Sequence, residues 1–125
     1  MTGITLDAGA LIALDRNDRR VLVLIARAME SGMRVTVPAT ALAQAIRNPA
    51  KQARLSRLIR QPLAAVVPLD ARHATGVGLL LAECGTSDIA DAHVALCARN
   101  ARQPILTSDP EDLARLAPDL RLVAL

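Results

Sequence analysis

The apolar positions along the chain follow two alternating rhythms, one of period two and one of helical spacing. "ITL", residues 4–6, predicts a short strand ending at Asp7, and Gly9 permits a tight turn into the apolar "ALIALDRND". From about Asp18 to Glu30, Val21, Leu22, Leu24, Ile25 and Met29 recur at helical spacing, and Ser31-Gly32 supplies a stop. "MRVTV" reads as the next strand. Pro38 opens a helix through "ATALAQAIRN", Asn48-Pro49 breaks it, and a further helix runs from about Pro49 to Arg60.

The second half repeats the alternation. "LAAVVPL" reads as a buried strand, Asp70 as the N-cap of the helix "ARHATGVGLLLAEC", and Gly85 as its end. Thr86 or Ser87 then caps a helix that carries Asp88 and Asp91 and continues to about Asn100. "PILTSD" is strand, "PEDLARLA" a short helix with Pro110 in its first turn, and "LRLVAL" a closing strand. Strands alternating with helices imply an α/β fold with a mostly parallel central sheet flanked by helices. At 125 residues, without linker or repeat, residues 1–125 form one domain.

Ligand sites in such sheets form outside the carboxyl ends of the strands. Asp7 follows the first strand and Asp109 follows "ILTS", so both acids belong on one rim. Asp88 and Asp91, three apart, share a helix face in the first turn, where the helix dipole favours anions by ~0.3–1 kcal/mol. That dipole accounts for two acids taken alone. Each of the others also has a local alternative: Asp7 could cap "ALIAL", and Asp109 the helix at Pro110. Three or four carboxylates gathered together repel, however, and that cost is relieved by a bound cation. Without a matched His or Cys set, oxygen ligands select magnesium or manganese, which can activate water against a phosphodiester. Thr107 and Ser108 are placed to orient water or Asp109. Asp112 reads as a surface residue, and His73 and His93 as packed or surface histidines rather than catalytic bases.

Composition narrows the partners. The chain is 52% hydrophobic with no Phe, Tyr or Trp, so Leu, Ile, Val and Ala build the core and aromatic stacking of bases is excluded. Any nucleic acid must be held through its phosphates. The formal net charge of +3 comes almost wholly from arginine, and Lys51 is the sole lysine. Residues 31–69 hold no acid but include Arg34, Arg47, Lys51, Arg54, Arg57 and Arg60, which read either as a solvated helix face or as a face for nucleic acid. Cys84 and Cys97 lack CxxC spacing and read as buried thiols in a reducing compartment. The start "MTGITLDAG" lacks a basic segment followed by an apolar run, and no stretch reaches ~20 apolar residues. The expectation is a cytoplasmic protein with no membrane span.

Four segments, "LDAGALIAL", "VPATALAQAIR", "TSDIADAHVALCA" and "PILTSDPEDL", together resemble in order and spacing the PIN-domain ribonuclease toxins of the VapC family, over essentially the whole chain. The resemblance implies a three-layer α/β PIN-like domain that binds Mg2+ or Mn2+ through an acidic cluster and cuts RNA endonucleolytically. It also implies pairing with a small VapB-like antitoxin that occludes the site, and a homodimer. By position, the family's first acid matches Asp7, its third Asp91 and its fourth Asp109, with Thr107 as the accompanying hydroxyl. Its second acid, a glutamate, is replaced here by Gln44, which brings an oxygen but no charge. Asp88, one turn before Asp91, is the residue placed to restore that charge. The expected metal set is therefore Asp7, Asp91, Asp88 and Asp109, with Gln44 and Thr107 at its edge.

Two other functions compete. In the first, Gln44 marks a catalytically weakened module that survives as an antitoxin-binding or regulatory scaffold. The second, a receiver-type phospho-acceptor, needs a lysine near the acids after a late strand, and Lys51 is not so placed.

Overall fold

The computed structural model describes residues 3–125. The strands are β1 (Gly3–Leu6), β2 (Arg34–Pro38), β3 (Ala64–Val67), β4 (Ile105–Thr107) and β5 (Leu122–Ala124). The helices are α1 (Ala8–Asp15), α2 (Arg19–Glu30), α3 (Ala39–Ala45), α4 (Ala53–Ile59), α5 (Ala71–Cys84), α6 (Ile89–Ala101) and α7 (Pro110–Leu116). All strand pairs are parallel, in the order β3-β2-β1-β4-β5. The chain thus starts at the centre, steps outward through β2 and β3, and returns through α5 and α6 to the other side of β1. Between β1 and β4 the direction of winding reverses, and it is outside the carboxyl ends at such a reversal that doubly wound sheets place their sites.

Packing without aromatics relies on close approach. α6 brings Ala90, Ala92, Ala95 and Ala98, all buried, against β1, β2 and β4, while α3, α5 and α7 cover its remaining faces. A helix apolar almost all round is what such a central position requires. Leu6, Leu11, Val35, Val37, Ile105 and Leu106 complete the middle of the core. The apolar runs of α2 and α4 face inward as well, with Val21, Ile25, Leu55 and Leu58 buried.

Three expectations change. The helix from Pro49 to Arg60 is interrupted: a 3-10 turn covers Pro49–Lys51, and α4 begins only at Ala53. Between them the buried Gln52 accepts the Arg47 and Asn48 N–H groups on one oxygen (2.9 and 3.0 Å) and donates to the Ala45 carbonyl (2.8 Å). One amide side chain thus satisfies the backbone groups exposed where α3 stops early, as burial demands. The strand around "AAVV" is not buried: β3 is an edge strand, half-exposed, with Val66 open to solvent. Gly9 lies inside α1 rather than in a turn before it. Among the described residues, no helix is long and apolar enough to cross a membrane.

Candidate functional site

Asp7 leaves the carboxyl end of β1 and caps α1. One of its carboxylate oxygens accepts from the Ala10 N–H (2.8 Å), and the other accepts from the Thr107 hydroxyl at the end of β4. The Thr107 oxygen in turn accepts from the Asp109 N–H (2.8 Å). Two neighbouring parallel strands are therefore tied together at their carboxyl ends through one acid and one hydroxyl. Asp7 is 3% exposed, and burial pushes its carboxyl above the usual carboxylate range despite hydrogen bonds from Thr107, Ala10 and Ser108 that favour the charge.

Gly9 allows this closeness. A Cβ there would stand 1.7 Å from the Ser108 hydroxyl oxygen, so the loop after β4 reaches α1 only because position 9 carries no side chain.

The opposite wall is the first turn of α6. The expected caps, Thr86 or Ser87, give way to Asp88, whose Oδ1 accepts from the Asp91 N–H (2.9 Å); Thr86 instead accepts from the Asp88 N–H (3.4 Å). Asp91 is half-buried and lines a polar crevice with Asp88 and Asp112. Its carboxyl is pushed up to about 7, first by burial and then by the charges of Asp88, Asp7 and Asp109. That pattern is the electrostatic signature of four acids sharing one space.

Asp112 lies on the surface as expected, yet it completes the group. Carboxylate oxygens of Asp91, Asp109 and Asp112 all lie within 4.8 Å of one another. Asp109 raises the Asp112 carboxyl, by a side-chain hydrogen bond and by its charge. Asp7, with both oxygens engaged, stands behind this trio. The clue to Asp112 was present in the sequence: it follows Asp109 by the same three residues that separate Asp91 from Asp88.

Gln44 is exposed on α3, across a shallow cleft of about 390 Å3 from Ser87 and Asp88. It also lines a second, adjoining cleft of about 400 Å3 with Arg16, Arg47 and Lys51. The arginine-rich span is not one face. Arg47 and Lys51 join Gln44, Arg54 and Arg57 lie beside Leu22 and Ile25 of α2, and Arg34 begins β2 at the amino edge, the rim opposite Asp7. Parallel strands explain this, because each crossover carries successive residues from one rim to the other. A concavity of about 570 Å3 lies at the amino edge around Gly3, Arg19 and Arg27 and holds none of the acids. The acids Asp88, Asp91 and Asp112 line a smaller, polar hollow of about 220 Å3.

His93 is fully buried in α6, and His73 is half-buried in α5. The His93 ring meets the Thr40 hydroxyl at Nδ1 (2.8 Å) and His73 Nδ1 at Nε2 (3.1 Å). Burial, then the neighbouring His73, lowers its pKa and holds it neutral, against smaller upward effects of Asp70 and the Pro68 backbone. Neither ring enters the acidic crevice.

The model of the PIN domain matches residues 4–118. The chain belongs to the PIN-domain family. PIN domains are nucleases, generally dependent on divalent metal ions, and RNA cleavage is their general activity. Among curated proteins none matches the chain in sequence. Solved structures with the same fold include VapBC2 from Rickettsia felis, bound to a DNA fragment from its promoter (TM-score 0.71, 14% identity, 98% of each chain covered). FitAB bound to the IR36 DNA fragment has a TM-score of 0.68 at 17% identity, covering 97% of this chain and 94% of that one. FitAcB from Neisseria gonorrhoeae gives 0.61 at 19% identity, with 95% of each chain covered. At these identities the likeness is one of fold, and this PIN domain's chemistry rests on its own side chains.

Proposed function

We propose that this PIN domain is a metal-dependent endoribonuclease acting as the toxin of a toxin–antitoxin pair. The carboxylate trio of Asp91, Asp109 and Asp112, backed by Asp7 and Asp88 at the crevice between β1 and β4, carries the reading. An all-oxygen set with this charge density fits Mg2+ or Mn2+ rather than zinc. Asp91, Asp109 and Asp112 would hold the ion with Asp7, and Asp88 would add the charge that Gln44 lacks. When bound, the ion supplies Lewis acidity toward a phosphoryl oxygen and lowers the pKa of water.

The protein's own groups do the rest. Thr107 fixes one oxygen of Asp7 and the loop bearing Asp109, so two ligands keep their spacing before any ion arrives. Gln44 lies between the cleft at Asp88 and the cleft at Arg16, Arg47 and Lys51. Those three cations would grip RNA phosphates leading to the acids, and the absence of aromatic side chains leaves phosphate contact as the main hold. The family resemblance extends the reading to a small VapB-like antitoxin, a homodimer and a cytoplasmic setting. The similar VapBC2 and FitAB structures, both bound to DNA fragments, support the antitoxin partner.

The test is to express wild type and Asp7→Ala and map RNA ends, with and without EDTA. Cleavage abolished by EDTA and by Asp7→Ala is the expected result; undiminished cleavage in both would end the metal mechanism. Mn2+ calorimetry separates the nuclease from a scaffold that has lost its site, since the scaffold takes up no ion.

A further inference from the structure

The polar cluster buried between α3, α5 and α6 has no part in the nuclease reading. One ring nitrogen each from His73 and His93 and the Sγ of Cys97 lie within 4.8 Å of one another. His93 and Cys97, one helical turn apart on α6, share a face, and His73 meets them from the first turn of α5. We propose that His73, His93 and Cys97 form a second metal site, for a soft cation such as Zn2+, that cross-links α5 to α6.

The cluster has the donor types and the spacing that a cation requires. His73 Nδ1 and His93 Nε2 face each other at 3.1 Å, so their lone pairs are separated by a proton or by a metal. Two nitrogens at ordinary Zn–N lengths on a tetrahedral ion stand ~3.3 Å apart, only a few tenths of an ångström wider. Thr40 provides the outer support such sites use: its hydroxyl can accept from His93 Nδ1–H, which leaves Nε2 free as a ligand. The Cys97 sulfur is buried beside the two rings and adds the soft donor that selects a thiophilic ion. Half-buried His73 provides the entry side and the ligand with room to adjust. Nitrogen and sulfur donors distinguish this site from the all-oxygen crevice, so the two sort cations by softness.

The site is independent of the nuclease reading, and the test separates them. The full chain is titrated with Co2+ in excess Mg2+, which occupies the carboxylates. One equivalent should produce a near-ultraviolet thiolate-to-cobalt charge-transfer band with strong four-coordinate visible bands, and Zn2+ should displace them. Cys97→Ser should remove the charge-transfer band. His73→Ala, at a half-buried position that tolerates truncation, should weaken Co2+ binding at least about tenfold while circular dichroism confirms folding. Asp91→Asn should leave the band in place. Absence of the band in folded wild type, its persistence in Cys97→Ser, or its loss in folded Asp91→Asn would each overturn the proposal.

Discussion

The Thr107 hydroxyl donates to the Asp7 carboxylate across the β1–β4 boundary while accepting from the Asp109 N–H, so one oxygen couples two acids 102 positions apart. Removing it should disturb both. Thr107→Val keeps the shape but leaves a buried carboxylate oxygen and an N–H without their partner. We expect a loss of about 1–3 kcal/mol in urea unfolding and a large drop in RNA cleavage. Thr107→Ser, which keeps the hydroxyl, should retain most of both.

The raised Asp91 carboxyl has a defined sign for stability. An unfolded aspartate titrates near 4, whereas Asp91 in the folded protein titrates at about 7. Between those values the folded state binds more protons, so metal-free stability falls as pH rises from about 4 to about 7 and is level with respect to this group above that. Asp91→Asn should remove this part of the fall and raise the melting temperature of metal-free protein at pH 7, while abolishing cleavage. Thermal melts in EDTA from pH 4 to 8 check it; an unchanged profile in Asp91→Asn would show that the carboxyl is not held up by its neighbours.

Asp112 and Asp88 make a discriminating pair. Asp112 belongs to the trio, whereas one oxygen of Asp88 is already taken by the Asp91 N–H. Asp112→Asn should therefore weaken Mn2+ binding more than Asp88→Asn, and Asp88→Asn should still weaken it through lost charge. Calorimetry ranks them. If Asp88→Asn binds Mn2+ as tightly as wild type, Asp88 does not stand in for the charge missing at Gln44.

The cationic cleft beyond Gln44 predicts a local salt effect. Arg47→Gln with Lys51→Gln should lower single-stranded RNA affinity and reduce the slope of log K against log salt by about 0.7 per lost phosphate contact. Arg34→Gln, at the opposite rim, should change neither. Filter binding over a salt series distinguishes them, and equal effects from Arg34 would place the RNA elsewhere.

Much of this site was legible one segment at a time. Asp7 and Asp109 follow strands, and in a parallel sheet every strand delivers its carboxyl end to one rim, so their convergence followed from alternation alone. Gly9 was singled out for a turn, yet its role is the approach of Ser108, a contact 99 positions away. Asp112 is exposed, as its sequence context suggested, but its partner acids come from α6 and the loop after β4, so the trio takes shape through the docking of α7 beside them.

By itself the sequence determined the order of elements, the rim on which the acids gather, and the lack of any aromatic side chain for stacking, because periodicity and side-chain chemistry are local. Tertiary structure decided which acids meet, that the arginines divide between opposite rims, and that His73, His93 and Cys97 come together between α5 and α6. Those outcomes depend on how helices dock over the sheet, and no local pattern encodes the distance between residues brought together by packing.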